Sequence, residues 1–343
     1  MILTVTPNPA LDMTWHVDGL TPGQTHRVPA GASRAGGKGL NVARVLHAEG
    51  HDVLALATAG GATGAEFTAE LAASGVPHRL LPVTAPTRRS IAVVDDRSGD
   101  TSILNEVGAT LDAADAAALL GEAARLGRNA RAVAVSGSLP PGFGTDDLGD
   151  LVADLVRAGT PVVADTSGPG LLATARAGAH ALKPNREELE WATGRSDPLD
   201  GARALLELGA RLVVVSLGAD GLVVAGRTGD AIHARLPRPL HGNATGAGDA
   251  AVAAIVAALA SGDDLGADTD AAARARTDLA RRATAWSASA VLMPLAGELS
   301  PRHPELEAEV VVAPFAEFRP TAEFQPTAGT QPTENRIITE EHS

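Results

Sequence analysis

The sequence predicts an α/β protein: a three-layer αβα sandwich with a mostly parallel central sheet, plus a small β-sheet lid. Three observations carry this expectation. From Ala113 onward, short apolar runs alternate with amphipathic stretches rich in Ala and Leu, as strands and helices do when they follow one another. Those apolar runs are unbroken, as in strands buried on both faces of a parallel sheet. Two hairpin-like pieces, near 13–33 and 85–105, fall outside the alternation and read as an inserted lid.

Taken in order, residues 1–6 read as a buried first strand, ended by Pro7-Asn8-Pro9. Residues 13–33 are polar and Thr-rich and read as short exposed strands. Residues 39–50 read as a helix with Gly50 near its C-cap. A strand at 53–57 and a helix at 65–74, closed by Gly75, follow. Residues 90–94 and 101–104, separated by the polar stretch 95–100, form a predicted hairpin. Strands at 132–135, 161–164, 180–182 and 212–216 are spaced by helices such as 147–158 and 201–208. Residues 1–314 are thus expected to form one domain. Pro320-Thr-Ala, Pro326-Thr-Ala and Pro332-Thr then mark 315–343 as a low-complexity tail, disordered by composition.

Composition narrows the function classes. The chain has 343 residues, 45% hydrophobic but only 2% aromatic and without Tyr, so the core is aliphatic. A nucleobase pocket would then have aliphatic walls or one of few rings. A formal net charge of -13 argues against nucleic-acid and anionic-membrane partners. The absence of Cys excludes disulfides, thiolate catalysis and thiolate zinc sites. The first residues carry no basic segment, so no signal peptide is expected, and no run reaches the roughly 18 apolar residues that span a bilayer. A cytoplasmic protein is the expectation.

The most informative stretch is Asn243-Ala-Thr245-Gly-Ala-Gly248-Asp249, opening into the apolar helical run 250–260. A glycine turn at a helix start presents free N–H groups and the positive end of the dipole, a site for an anion. Asp249 stands at its mouth. An acid beside an anion hole repels a merely bound phosphate. It suits an acid that takes a proton from a hydroxyl while the N–H groups of the turn hold a phosphoryl group in transfer. A kinase is the leading reading.

Other clusters are compatible with it and also have plainer explanations. Gly36-Gly37-Lys38-Gly39, then Asn41, lets backbone approach a ligand beside a cation, or is a Gly-rich turn with a solvated Lys. It is not a P-loop, because Ala32 stands where that motif needs Gly and Gly39 where it needs Ser or Thr. Asp12 follows the first strand, where a carboxylate can accept two sugar hydroxyls or simply cap a loop. Arg88-Arg89 is either a phosphate receptor or an exposed pair. Ser136-Gly-Ser138-Leu-Pro-Pro-Gly142 and Ser216-Leu-Gly218-Ala-Asp-Gly221 are strand-end turns that can line a pocket. In Lys183-Pro-Asn185-Arg-Glu-Glu188, Asn185 and Glu188 have capping-box spacing, and the same pair can serve a hydrated Mg²⁺. Gly168-Pro-Gly170-Leu-Leu-Ala173 and Gly246-Ala-Gly248-Asp-Ala-Ala251 both match Gly-x-Gly-x-x-Ala, which keeps an NAD-dependent dehydrogenase as a rival. A non-catalytic sugar-phosphate sensor is a second rival, opposed by the intact glycine-acid site. The scattered His residues contain no His-Glu-x-x-His, so no zinc hydrolase is indicated.

In this order the segments Thr6-Pro-Asn-Pro-Ala-Leu-Asp12, Gly36-Gly-Lys-Gly-Leu-Asn41, Ser136-Gly-Ser-Leu-Pro-Pro-Gly142, Lys183-Pro-Asn-Arg-Glu-Glu188, Val215-Ser-Leu-Gly218 and Thr245-Gly-Ala-Gly-Asp249 resemble the pfkB-type carbohydrate kinases of the ribokinase-like superfamily. The resemblance runs from Met1 to about Leu299. It is most like the phosphosugar branch, and within it the 1-phosphofructokinases. It implies a ribokinase-like sandwich whose lid forms a homodimer contact, with ATP and Mg²⁺. The implied reaction is phosphorylation of a primary hydroxyl of a ketohexose phosphate, fructose 1-phosphate giving fructose 1,6-bisphosphate, with tagatose 6-phosphate and fructose 6-phosphate as alternatives. By motif match Asp249 is the base, with an ordinary carboxylate pKa of about 4, and Gly246, Ala247 and Gly248 form the anion hole. Asp12, Gly37, Asn41 and Ser138 hold the sugar, with Lys38 and Arg88 at its phosphate. Lys183, Asn185, Ser216, Gly218 and Gly221 face the nucleotide, and Asn185 and Glu188 serve Mg²⁺ through water. The chain has Asn243-Ala244 where many relatives have a Ser or Asp and then Thr, which removes one hydroxyl near the nucleotide. The adenine pocket is expected from the helix near 282–291.

Overall fold

A computed structural model of the chain describes residues 1–227 and 231–317. The first half holds β1 (Ile2–Thr6), β2 (Ala10–Val17), β3 (Ala32–Gly36), α1 (Lys38–Ala48), β4 (Val53–Ala59), α2 (Gly61–Ala73), β5 (His78–Pro82), β6 (Arg88–Asp95) and β7 (Thr101–Asn105). Alternation follows, broken once where α7 comes directly after α6: α3 (Ala113–Gly127), β8 (Ala132–Ser136), α4 (Thr145–Arg157), β9 (Val162–Asp165), α5 (Gly168–Arg176), β10 (Ala181–Leu182), α6 (Arg186–Thr193), α7 (Pro198–Leu208) and β11 (Leu212–Ser216). The last described part is β12 (Leu222–Gly226), β13 (Ala231–Arg235), α8 (Ala247–Ser261), α9 (Asp270–Val291), α10 (His303–Glu309) and β14 (Val311–Pro314).

Ten strands form one sheet in the order β14-β13-β12-β11-β10-β9-β8-β1-β4-β5. From β11 to β5 every pairing is parallel, and β12 to β14 extend the sheet antiparallel. Side chains alternate between faces along each strand. In β1, Ile2 packs into a cluster with α1, α2, α8, α9 and α10, whereas Leu3 and Val5 pack into a second cluster with α3, α4, α5 and α7. This gives the expected three layers. α8 is buried all round from Asp249 to Ala260 because it lies between the sheet and the helices α1 and α9. Its many Ala residues let those elements approach closely. Among the described residues no helix is long and apolar enough to cross a membrane.

The second sheet has the order β3-β2-β6-β7. The expected hairpin is β6 and β7, paired antiparallel from Ser90↔Asn105 to Val94↔Thr101. The other lid piece differs from expectation. Its strand starts at Ala10, so Asp12 lies within the lid sheet, opposite Arg34 and Ser90, and residues 18–31 are irregular. The reason is a period of two, with Leu11, Met13, Trp15 and Val17 alternating with Asp12, Thr14 and His16. At the other end, Phe315–Glu317, assigned above to the tail, form a 3₁₀ turn whose Phe315 packs on the second core cluster. The rest of the expected tail lies outside the described residues.

Candidate active site

The parallel strands β1, β8, β9, β10 and β11 end on the same edge of the sheet, the edge where open α/β sheets bind ligands. A cleft of about 1040 Å³ runs along it, bordered by lid residues. All sixteen site residues singled out from the sequence line this cleft: Asp12, Gly37, Lys38, Asn41, Arg88, Ser138, Lys183, Asn185, Glu188, Ser216, Gly218, Gly221, Gly246, Ala247, Gly248 and Asp249. Its volume slightly exceeds the usual range for one small ligand.

The glycine turn ends in Gly246, the N-cap of α8, with φ +86 and no side chain capping the helix. A Cβ here would lie 2.8 Å from Cβ and 2.9 Å from Cα of Ala296, so the turn is pressed against the 296–298 loop. Among the described residues the N–H groups of Gly246, Gly248 and Asp249 have no hydrogen-bond partner. That free set differs from the predicted one by a single member. The Ala247 N–H is engaged by Ala244 O at 3.2 Å, because the turn closes on itself at the helix start, and the Asp249 N–H is free in its place. Asn243 braces the turn with both ends of its amide. Its Oδ1 accepts from Thr245 N–H at 3.0 Å and its Nδ2 donates to Pro294 O at 3.0 Å.

Asp249 is only 6% exposed, and Asn41 Nδ2 donates to its Oδ2 at 2.7 Å. Burial pushes its pKa up to about 6, with the charge of Asp165 acting in the same direction and Lys38, Asn41 and Lys183 opposing. The ordinary value of about 4 expected from the sequence is therefore too low, since it ignores desolvation. Asp12 is likewise raised to about 6, by burial first, with Arg88 opposing and Asp249 adding to the rise. A side chain at Gly36 would collide with the Asp12 carboxyl, which explains glycine at that position.

Asp249 also adjoins a charge cluster. Lys38 Nζ is 3.3 Å from Asp165 Oδ1 and 3.4 Å from Glu188 Oε1, and the buried Lys183 Nζ is 3.5 Å from the same Asp165 oxygen. Burial works against the charge on Lys38, but Asp165, Glu188 and Asp249 outweigh it and hold its pKa above the ordinary value. The sequence reading groups Lys38 with Arg88; its ammonium is instead committed to these carboxylates. The Arg88 guanidinium donates to Asn8 O and Glu106 O. Asn185 caps α6 in a full capping box, accepting from Glu188 N–H at 2.8 Å while Glu188 Oε2 accepts from Asn185 N–H at 2.9 Å. Ser138 Oγ accepts from Asn8 Nδ2 at 3.1 Å.

Asp165 is the residue that sequence reasoning missed. It is 1% exposed, and among the described residues its Oδ2 and the neighbouring Ser136 Oγ are buried without a hydrogen-bond partner. The only signal was an acid closing the apolar run Val162-Val-Ala-Asp165 at the ligand edge. The cleft is also lined by Thr284, Ser287, Ala288 and Val291 of α9 and by Leu236 and Leu240.

The pfkB family carbohydrate kinase model matches residues 8–294. The chain belongs to the pfkB family of carbohydrate kinases. It is thus an ATP-dependent sugar kinase, and the dehydrogenase reading falls away. The kinase is 38% identical over 268 residues to 1-phosphofructokinase of Xanthomonas campestris pv. campestris, covering 75% of this chain and 83% of the relative. It is also 38% identical over 268 residues to the ATP-dependent 6-phosphofructokinase isozyme 2 of Mycobacterium tuberculosis, covering 76% and 78%. Its fold superposes on phosphofructokinase-2 from Escherichia coli in complex with potassium with a TM-score of 0.80 at 28% identity, over 90% of this chain and 98% of that one. The ribokinase-like architecture is thereby that of this chain.

Proposed function

We propose that this kinase phosphorylates a primary hydroxyl of a ketohexose phosphate, converting fructose 1-phosphate to fructose 1,6-bisphosphate with ATP. One observation carries the reading: a buried carboxylate, Asp249, held by Asn41, stands in the same first turn of α8 as the free N–H groups, in a cleft that also holds Asp12 and Arg88. In this reading Asp249 removes the hydroxyl proton as the new O–P bond forms and the bond from the γ-phosphorus to ADP breaks. The N–H groups of Gly246, Gly248 and Asp249 meet the charge on the migrating group. Asp12 accepts sugar hydroxyls and Arg88 meets the phosphate already on the sugar. Lys38, committed to Asp165 and Glu188, stands at the nucleotide phosphates, with Lys183 beside it. Closure of the lid keeps water from replacing the sugar as acceptor.

Mg²⁺ fits the donors present. Among the described residues no group of three or more His, Cys, Asp or Glu is arranged to hold a metal, but Mg²⁺ keeps several waters and needs one or two carboxylates beside phosphate oxygens. The unpartnered Asp165 Oδ2, and Glu188 through water, are the residues that would hold it. When bound, Mg²⁺ supplies neutralising charge to the nucleotide phosphates. Asn185 Oδ1 accepts from Glu188 N–H and keeps a second lone pair, so Asn185 too would serve the ion through water. We also take the lid as the contact of a homodimer, since Ile103 and Leu104 on β7 are 49% and 60% exposed. Residues 1–314 are taken as the catalytic domain.

The test is release of ADP in the presence of MgATP and a panel of fructose 1-phosphate, fructose 6-phosphate, tagatose 6-phosphate and free fructose. The highest kcat/KM is expected with fructose 1-phosphate. The relatives above share one identity value but act on different phosphates by name, so the panel decides the position of the existing phosphate. Turnover of free fructose alone would refute the phosphosugar reading, and no turnover with any sugar would refute the kinase reading of the site. In the same preparation, Leu104→Glu is expected to convert a sedimenting dimer into a monomer; an unchanged mass would remove the lid from the interface.

The acid limb of the pH dependence follows from the raised carboxyls. Asp249 acts as a base only when ionised, so the active fraction is half at about pH 6, approaches its full value roughly one pH unit higher, and falls away as pH drops below that midpoint. Asp12 titrates in the same range, and each charge raises the other. Titration of ¹³C-labelled aspartates in the free enzyme is expected to show two carboxyls with midpoints near 6, one of them lost in Asp249→Asn. Midpoints all below 4.5 would refute the assignment.

A further inference from the structure

Neither Arg34 nor Glu298 lines the cleft, yet the pair is joined to three parts of it. Residues 296–298, in the loop between α9 and α10, meet those parts in succession. Ala296 is pressed against the glycine turn, since a Cβ on Gly246 would lie 2.8 Å from its Cβ. Gly297 lies on α1. A Cβ there would be 3.1 Å from Cα of Asn41, the residue that holds Asp249, and 3.1 Å from Cδ of Arg44. Glu298 Oε1 pairs with Arg34 Nη2 of β3 at 3.2 Å. Arg34 in turn stands opposite Asp12 in the lid sheet, and its charge opposes the rise that burial gives the Asp12 carboxyl.

No other ion pair among the described residues makes this connection. The remaining pairs of the lid, His16 with Asp96 and Arg97 with Asp18, stay within it. The end of β3 is tied to helices instead: Ala35 N–H donates to Glu70 Oε2 at 2.7 Å, and Ala35 O accepts from Arg44 Nη2 at 3.1 Å. With side chains 18% and 33% exposed, Arg34 and Glu298 add little to stability as a pair. Their effect is geometric. Van der Waals contact stops Ala296 from approaching Gly246 but holds only weakly against separation. An anchored Glu298, two residues on, keeps the loop from backing away. It thereby sets how far the free N–H groups of the turn stand from a sugar held by Asp12. Transfer is sensitive to that distance, because a misplacement of about 1 Å costs up to about 10²-fold in rate.

We propose that Arg34 and Glu298 are positioning residues for phosphoryl transfer: their ion pair ties the lid to the 296–298 loop and so fixes the glycine turn relative to the sugar. This rests on the reading of that turn as the place of the migrating phosphoryl group. Neither side chain touches a substrate; both act through Gly246 and Asn41.

The experiment is a double-mutant cycle of Glu298→Gln and Arg34→Gln. It is read by steady-state kinetics, with MgATP and the sugar phosphate turned over fastest in the panel above, and by thermal melts. Glu298→Gln keeps the size of the side chain and removes its charge. It is expected to lower kcat by about 10-fold and to leave KM for both substrates within about two-fold, because Asp12, Arg88 and the lysines stay in place. Arg34→Gln is expected to lose as much kcat and also to raise the sugar KM, since Asp12 loses a facing cation. The double variant is expected to lose no more kcat than either single one, because the link is broken once. Arg34→Lys keeps a cation opposite Asp12 and is expected to lose less; it completes the cycle if Arg34→Gln does not fold. Melting temperatures are expected to move little. Single variants with the parental kcat, or losses that multiply in the double variant, overturn the proposal and leave the kinase assignment standing. A loss of kcat seen only with a large fall in melting temperature also overturns it, because the pair then serves the fold. Absence of turnover by the unchanged enzyme with every sugar phosphate defeats the underlying kinase reading instead.

Discussion

Asp249→Asn is expected to lower kcat by a factor on the order of 10² or more, the usual worth of a positioned base, with ATP affinity close to that of the unchanged enzyme. The substitution is nearly isosteric, and the Asn41 amide can still donate to the retained carbonyl oxygen. Only the proton acceptor is lost. Stability moves in the opposite direction. The folded-state pKa of Asp249 is raised from 3.8 to about 6, so between those values the folded protein holds a proton that the unfolded chain has released. Stability therefore falls as pH rises through that window, and above pH 6 the buried charge costs on the order of 3 kcal/mol. The asparagine variant is thus expected to melt at a higher temperature than the parent at pH 8, with the difference shrinking toward pH 4.5. Such a trade is typical of groups kept for chemistry rather than for the fold. Steady-state kinetics and thermal melts at the two pH values check both halves. Turnover at the parental rate would remove Asp249 from the base role, and a lower melting temperature at pH 8 would contradict the burial argument.

What the sequence discloses about this enzyme, and what it hides, divides by range. The glycine turn at 246–248, the capping box at Asn185 and Glu188, and the hairpin of β6 and β7 are local. Each is encoded by residues a few positions apart, so their chemistry is legible without a fold. The parallel strands were legible because unbroken apolar runs need cover on both faces. Harder to see was the lid pairing of β2 with β6, which joins Ala10 to Arg88 and carries Asp12 into the second sheet. No local pattern announces a parallel partner so far along the chain. Asp165 escaped for the same reason. It gains meaning only when Lys38, 127 residues before it, and Lys183 converge on one of its oxygens. The raised pKa of Asp249 is likewise tertiary, because its largest cause is burial under elements that the motif does not contain. Motif order thus located the cleft, while the charge state inside it depended on packing.

Gly246→Ala is expected to reduce kcat by a factor on the order of 10² to 10³, the range seen when a donor to developing charge is displaced. Two effects act at this position. The φ of +86 disfavours any L side chain by about 1–2 kcal/mol, and the new methyl would lie 2.8–2.9 Å from Ala296, including its backbone Cα. Strain alone would cost stability and leave the reaction intact. The steric contact must instead push the turn away from the 296–298 loop, and with it the free N–H groups of Gly246, Gly248 and Asp249. Gly50→Ala separates the two effects. Gly50 has a similar φ of +77 just beyond α1, yet a Cβ there meets nothing within 4 Å. That variant is expected to lose about 1 kcal/mol of stability and to keep its kcat. Chemical denaturation and steady-state kinetics on the pair therefore isolate displacement from strain. If Gly246→Ala shows only the stability loss of Gly50→Ala, with full turnover, the backbone at the start of α8 does not hold the migrating phosphoryl group.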